Sequence, residues 1–268
     1  MRTRRRPVSS LAVSRPPPGR KTPSANRLLA ALPADDYARI APLFDQISLK
    51  LKQVIHRAGD PVSHIYFPGS GFCSVLSVLE DGKMVEVATV GREGMIGASA
   101  VIRGPAAEPS VTMVQAATPV CYRMTTDEFC NEMNRRGAFS VLLARYAHAY
   151  FGFVMQSTAC NAVHSIEQRL ARWLLTAQDR VDENQFPLTQ EFVAMMLGTT
   201  RPTVTVVAGT LQRAGLITYR HGHLTIVDRE GLENASCECY RVAAGLLDAV
   251  TRTPDASSIY RRTASSRD

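Results

Sequence analysis

Residues 188–217, "LTQEFVAMMLGTTRPTVTVVAGTLQRAGLI", read as two short helical patterns joined by Gly198. Thr189 is placed to cap the first, whose inward face is Phe192, Val193, Met196 and Leu197. The second starts near Arg201 and Pro202, because proline is tolerated in a first turn that needs no amide proton, and it stops at Gly215. Val204, Val207, Ala208 and Leu211 fall at i, i+3, i+4 and i+7 and face a core, while Arg201, Pro202, Thr205 and Val206 face outward. Two helices with a glycine-containing turn match a helix-turn-helix, whose second helix presents its N-terminal residues to a DNA major groove. The next stretch, "LITYRHGHLTIV", is a hairpin pattern around His221, Gly222 and His223 and reads as the wing of a winged version. From Gly198 to Val227 there are three arginines, two histidines and no carboxylate, so a duplex meets no repulsive charge along this segment. An arginine at the helix mouth can hold O6 and N7 of a guanine, worth about 1–3 kcal/mol of base discrimination. Thr200 and Thr203 flank it as candidate phosphate ligands. The plainer reading is a helical hairpin with a solvated arginine.

Upstream, the period of the hydrophobic pattern changes twice. Tyr37, Ile40, Leu43 and Phe44 follow the acidic start Asp35 and Asp36 at helical spacing. From Ser48 to Met124 the pattern is period two: "LKLKQVI" alternates, "HIYF" follows Gly59, and Asp81-Gly82 separates two strand-like runs as a hairpin turn with both residues at positive φ. "SVTMVQAATPVCYRM" supplies two more strands broken near Pro119. Short strands without intervening helices predict an antiparallel sandwich or roll. Thr125 and Glu128 then form a capping box. Beyond it Phe139, Leu143, Tyr146, Tyr150 and Phe153 repeat as a heptad seam that continues through Ser157 and Cys160 to His164. With one sheet available to cover so long a helix, the seam is expected to be a homodimer interface, with ordinary core as the alternative. His164 reads as a polar boundary residue. Ile166, Leu170, Trp173 and Leu174 share the next helical face, and Gln178 to Pro187 reads as a loop.

Composition bounds the rest. The 268 residues, 45% hydrophobic, suffice for two modest domains. Residues 1–26 hold seven of the 31 basic residues and no acidic one, so the formal charge of +7 comes from this tail and the remaining chain balances its 24 acids. The tail is rich in Pro and Ser, lacks the apolar run of a secretory signal, and reads as a disordered extension: either a non-specific DNA arm or residues of no consequence. No later segment approaches a spanning run of about 20 apolar residues, so no membrane partner is expected. Cysteines 73, 121, 130, 160, 237 and 239 show no CxxC and read as reduced thiols in a cytoplasm; Cys237 and Cys239 alone are too sparse for zinc. No Ser/His/Asp ordering, Walker loop or HExxH supports an enzyme.

At these residues the chain resembles the Crp/Fnr family of bacterial transcription regulators. The motifs are "GDPVSHIYFPGSG", "EDGKMVEVATVGREGMIG", "IEQRLARWLL" and the opening stretch, from about Asn26 to Leu232. The resemblance implies a β-roll sensor like a cyclic-nucleotide-binding domain, a long dimer helix, and a winged helix-turn-helix that binds palindromic promoter DNA. It implies double-stranded promoter DNA, a second copy of the chain and RNA polymerase as partners. It casts Arg201 as the base-reading arginine and Thr199, Thr200 and Thr203 as positions at or near phosphate contacts. Departures matter too. The cyclic-AMP-responsive branch carries a glutamate after the arginine and a second arginine five positions on, where this chain has Pro202 and Val206, so its operator is expected to differ. The family's nucleotide cassette uses a glutamate for the ribose hydroxyl and an arginine for the cyclic phosphate. "MIGASAVIRGPAAEPSVTMVQA" keeps Gly97 but has Ala98 and Ser110 there, with Arg103 the only nearby cation, at a loop tip. The N-terminal cysteine cluster of the oxygen-sensing branch is missing, and His56 and His64 read as solvated strand histidines, not haem ligands.

The expected fold is α+β. A disordered basic tail (1–25) precedes a β-roll sensor domain (26–134), a dimerisation helix (135–163), a winged helix-turn-helix (164–232), and a C-terminal helix with a disordered tail (233–268). The expected DNA-binding residues are Thr189, Thr199, Thr200, Arg201, Pro202, Thr203, Thr205 and Val206. The candidate effector pocket is Gly97, Ala98, Arg103, Ser110 and Val111. No metal or cofactor is expected, and the effector is unassigned. The competing class is a signalling module without DNA, using the β-roll and helical hairpin to dock proteins.

Overall fold

The structure, a computed structural model, describes residues 24–103, 107–181, 183–220 and 222–252, with Arg103 by its backbone alone. Expectations for residues 1–23 and the C-terminal tail from 253 onward lie outside the described residues. Asn26 ties the start of the chain to the sensor domain. Its side-chain oxygen accepts from the amides of Leu28 and Leu29 and caps α1 (Arg27–Ala30), while its amide group donates to the carbonyls of Pro68 and Gly94, each at 2.8 Å. Ser24 is buried and accepts from the Asn26 N–H, so the boundary set at residue 25 moves back into the expected tail. The acidic start Asp35 and Asp36 opens α2 (Ala34–Ile40), which tightens into a 3-10 turn at Ala41–Leu43.

Seven antiparallel strands follow: β1 (Asp45–Leu49), β2 (Val54–His56), β3 (His64–Pro68), β4 (Phe72–Val78), β5 (Met84–Val90), and, after the short helix α3 (Ser99–Arg103), β6 (Val111–Ala116) and β7 (Thr118–Thr125). They form two sheets, ordered β1-β7-β3 and β2-β6-β4-β5. The alternating run Leu49–Ile55 is not one strand. Lys52, at φ 64°, turns the corner, so β1 and β2 belong to different sheets. Alternation reports which residues face the core and is blind to a change of sheet. The Asp81-Gly82 hairpin is also corrected. Leu79 N–H bonds the Lys83 carbonyl at 2.8 Å and Gly82 N–H the Leu79 carbonyl at 2.9 Å, with only Gly82 at positive φ. This is a three-residue loop ending in a left-handed glycine, not a two-residue turn.

The capping box at Thr125 and Glu128 is formed and opens α4 (Thr126–Asn134). Helix α5 (Ala138–Val163) crosses the roll, and the remaining elements are α6 (Ile166–Val181), β8 (Gln185–Pro187), α7 (Gln190–Leu197), α8 (Arg201–Arg213), β9 (Ile217–Arg220), β10 (His223–Ile226), α9 (Arg229–Ala235) and α10 (Cys239–Thr251). The expected loop from Gln178 is thus the end of α6 followed by β8.

The seam on α5 is core, not a dimer interface. Phe139, Leu143, Tyr146 and Phe153 expose 0–3% of their surface, and Tyr150 packs half-buried beside them. They sit with Ile65, Phe67 and Met124 of the roll and with Ala243, Leu247 and Val250 of α10. The expectation rested on one covering sheet; the C-terminal helix folds back along α5 as a second cover. The exposed face carries a different heptad spacing, Val141, Ala144, His148, Phe151, Met155, Thr158 and Ala162. With apolar side chains on both faces, α5 is long and apolar enough to span a membrane, contrary to the expectation that no segment approaches this; a buried core helix passes the same test.

The winged domain docks on the roll through buried polar contacts. Trp173 Nε1 donates to Glu86 at 2.9 Å, Ser74 donates to the same carboxylate, and Arg180 pairs with Glu93 at 2.6 Å. Burial pushes the Glu86 carboxyl up to about 7, against the opposing pull of Ser74, Arg172, Trp173 and Arg180. Between its ordinary value and 7 the folded chain holds more protons than the unfolded chain. Its stabilisation is therefore complete at low pH and lost as pH rises through 7. At about 1.4 kcal/mol per unit this amounts to at most about 3 kcal/mol. Glu86→Gln should remove that component. In paired thermal melts at pH 5 and 8, the variant should gain on the parent as pH rises; an unchanged difference would show that Glu86 titrates normally.

Candidate nucleic-acid interface

Each helix of the pair is set by its caps. Thr189 accepts from the Phe192 N–H and starts α7. Gly198, at φ 60°, ends it with Gly198 N–H on Met195 and Thr199 N–H on Ala194, a left-handed close that a side chain would strain. Thr200 accepts from the Thr203 N–H and starts α8, with Pro202 in its first turn. Val193, Met196 and Leu197 of α7 and Val204, Ala208 and Leu211 of α8 close one apolar cluster with Leu170, Leu174 and the wing residues Ile217, Leu224 and Ile226. Sequence periodicity assigned these faces.

That packing leaves Thr200, Arg201, Pro202, Thr205 and Val206 exposed, with Thr199 and Thr203 half-buried beside them. The hydroxyls of Thr200 and Thr203 lie 2.9 Å apart, and Thr205 donates to Gln190 at 2.7 Å. The wing is β9 and β10, paired from His223 with Arg220 to Ile226 with Ile217, and β8 completes a three-stranded sheet. His221 lies outside the described residues. The surface is not free of carboxylate, however. Glu191, in the first turn of α7, reaches Arg201 Nε at 3.0 Å. Counting charges from Gly198 onward missed it because the partner precedes the turn.

In the roll, a cavity of about 280 Å³ opens between the four-stranded sheet, α3 and α5. Val75, Val87, Val90, Met95, Ile96, Tyr150 and Val154 make it largely apolar. Gly97, Ala98 and Ser110 line it; Val111 does not, and packs instead toward the winged domain. The backbone of Arg103 ends α3 instead of forming a loop tip, and its side chain lies outside the described residues. The main polar group is one the sequence reading passed over. Glu108 is buried there and accepts from Ser110 at 2.8 Å and Ser99 at 2.9 Å.

Residues 46–136 match the family described as cyclic nucleotide-binding domain, and residues 168–235 match the Crp-like helix-turn-helix domain; together they span more than half of the chain. The chain belongs to the Crp/Fnr family of transcriptional regulators. Similar solved structures carry the same fold. One is a putative Crp/Fnr transcriptional regulator from Eubacterium rectale, 20% identical over 78% of this chain and 96% of that one, with a TM-score of 0.60. A second is the c-di-GMP-responsive global regulator CLP of Xanthomonas campestris, 14% identical over 72% and 99%, TM-score 0.58. A third is a Crp-family regulator from Thermus thermophilus, 20% identical over 70% and 95%, TM-score 0.57. No curated protein matches.

Within this Crp/Fnr chain one sequence reading of a polar residue fails, and a second, His164 at the boundary of α5, is incomplete. His56 is buried rather than solvated; its Nε2 lies 3.2 Å from the His64 carbonyl, its Nδ1 has no hydrogen-bond partner among the described residues, and burial lowers its pKa. His164 is no isolated boundary residue, since the fold brings it to Cys160, Cys237 and Cys239. Burial pushes the Cys160 thiol up to about 12, so that thiol is not an activated nucleophile. Only the i, i+4 spacing of Cys160 and His164 at a helix end hinted at this meeting.

Proposed function

We propose that this transcription regulator acts as a homodimer on a palindromic promoter site, reads one base of each half-site with Arg201, and works in the cytoplasm with RNA polymerase as its partner. The observation that carries the reading is the exposed face of the first two turns of α8, where an arginine, threonine hydroxyls and the apolar Val206 face outward together. An arginine suits guanine O6 and N7, and a valine suits a thymine methyl. The exposed heptad of Val141, Ala144, His148, Phe151, Met155, Thr158 and Ala162 suits a two-fold contact between α5 helices, in place of the buried seam. Genome-wide mapping of bound sites tests the function and returns the operator. A salt series on the purified chain separates it from protein docking, because releasing counterions from phosphates makes duplex affinity fall steeply with salt. A flat response would favour a protein partner.

The roll cavity supports a pocket that has lost cyclic-nucleotide chemistry. A cyclic phosphate needs a fixed cation or several amide donors to replace its water. Here it would meet the Glu108 carboxylate, with both serine hydroxyls already donated to it. Calorimetric titration with cyclic AMP and cyclic GMP should show no micromolar binding. Binding at that level, abolished by Arg103→Ala, would make Arg103 a relocated phosphate ligand. An effector that fits would be a less charged, mostly apolar molecule.

A further inference from the structure

Four metal-binding side chains distant in sequence meet where the long helix gives way to the DNA-binding domain. Cys160 lies on the last turn of α5 and His164 is its C-cap, one turn on. Cys237 lies in the link from α9 to α10 and Cys239 opens α10, on either side of Glu238. The three sulfurs and a ring nitrogen of His164 all lie within 4.8 Å of one another. Cys160 Sγ is 3.5 Å from Cys237 Sγ, and Cys239 Sγ is 3.5 Å from His164 Nδ1. A tetrahedral zinc ion, with bonds of about 2.3 Å to sulfur and 2.0–2.1 Å to nitrogen, spaces its ligand atoms about 3.5–3.8 Å apart. The sulfur–nitrogen edge of that tetrahedron is already at length, and the sulfur–sulfur edge is within about 0.3 Å of it. We infer that Cys160, His164, Cys237 and Cys239 form a closed zinc site.

The surroundings match a zinc site beyond the four ligands. His164 Nε2 lies 3.3 Å from the Glu238 carboxylate, which orients the ring and leaves Nδ1 turned to the sulfurs. Gln156 Nε2 donates to Cys239 Sγ at 3.0 Å. Three thiolates around a divalent ion leave a net negative charge. The buried guanidiniums of Arg169 and Arg172 interact electrostatically with Cys160, and the Nε of each lacks a hydrogen-bond partner among the described residues. The donor set excludes calcium and magnesium, which take oxygen ligands, and the closed four-ligand arrangement favours a structural ion. Its place in the fold gives it a task. One ion would bind the end of α5, the entry to α6 and the start of α10 into a single unit, fixing how the winged domain leaves the long helix. That regulatory role rests on the DNA-binding function proposed above; the metal site itself does not.

The test uses the full chain purified under reducing conditions. Elemental analysis should find one zinc per protomer, and Cys237→Ser, Cys239→Ser and His164→Ala should each lower retention at least tenfold. His164→Cys, which keeps four ligands, should retain it, as should Cys130→Ser. The metal-free chain titrated with Co²⁺ should develop the visible absorption of a tetrahedral thiolate site and lose it on adding Zn²⁺. Removing the metal with a chelator should lower Tm by several degrees, reversibly. A reduced metal-free chain that takes up neither ion would overturn the inference. So would a Cys160 to Cys237 disulfide in the chain as isolated, an iron-sulfur chromophore, or equal metal content in all variants. DNA affinity measured on the same samples isolates the hinge role: zinc bound without any effect on the duplex removes that role and leaves the site.

Discussion

Glutamate at both Phe151 and Met155 is expected to turn the proposed homodimer into folded monomers and to lower operator affinity by about a thousandfold or more, toward non-specific binding. The two side chains are 63% and 58% exposed at the middle of the outward stripe of α5, so a charge on either is solvated in the monomer. Across a two-fold axis the pair becomes four carboxylates in one contact, where the cost of removing their water is large. DNA affinity falls with the dimer because half-sites lie about 34–36 Å apart and two recognition helices must be held at that spacing. Leu143→Glu is the control that separates interface from core. That residue is fully buried among Phe129, Phe139 and the roll, so the variant should fail to fold rather than merely dissociate. Sedimentation velocity with circular dichroism distinguishes the outcomes, and a Phe151, Met155 double variant that still sediments as a dimer would move the interface off α5.

The contrast between these two faces shows what the chain made legible and what it did not. Caps and local periodicity are encoded within a few residues, which is why Thr125, Thr189 and Gly198 could be placed from sequence alone. The heptad on α5 was visible too, but a helix apolar on two faces offers two heptads. Choosing between them requires knowing that α10, nearly a hundred residues later, lies along the first. Three other misses share this cause. Glu191 pairs with Arg201 across a turn, Glu108 enters the cavity through its two serines, and Cys237 and Cys239 reach Cys160 and His164 only after the winged domain is complete. Each depends on a contact that local pattern cannot carry, and each bears on function more than on fold.

Arg201→Ala should weaken specific binding by about 30-fold to 10⁴-fold, because each half-site loses a two-point base contact of about 1–3 kcal/mol and the dimer loses two. It should relax preference at one position of each half-site and leave the dimer intact, since the side chain touches nothing in the protein core. Arg201→Lys should rescue little, because an ammonium is a point charge without the planar fork. Glu191 gives the contact a second dimension. In the free chain it holds Arg201 Nε at 3.0 Å on an exposed surface, where ion pairs contribute little to stability and break readily. A duplex must either displace it or accept a carboxylate near its phosphates. Glu191→Gln should therefore tighten binding to any sequence, and do so less in an Arg201→Ala background, where the phosphate repulsion is relieved but there is no ion pair to release. A double-mutant cycle by fluorescence anisotropy, on matched operators and on one changed at the Arg201-read base, measures that coupling. If Arg201→Ala binds every duplex as the parent does, the side chain reads no base, and the exposed mouth of α8 serves another partner.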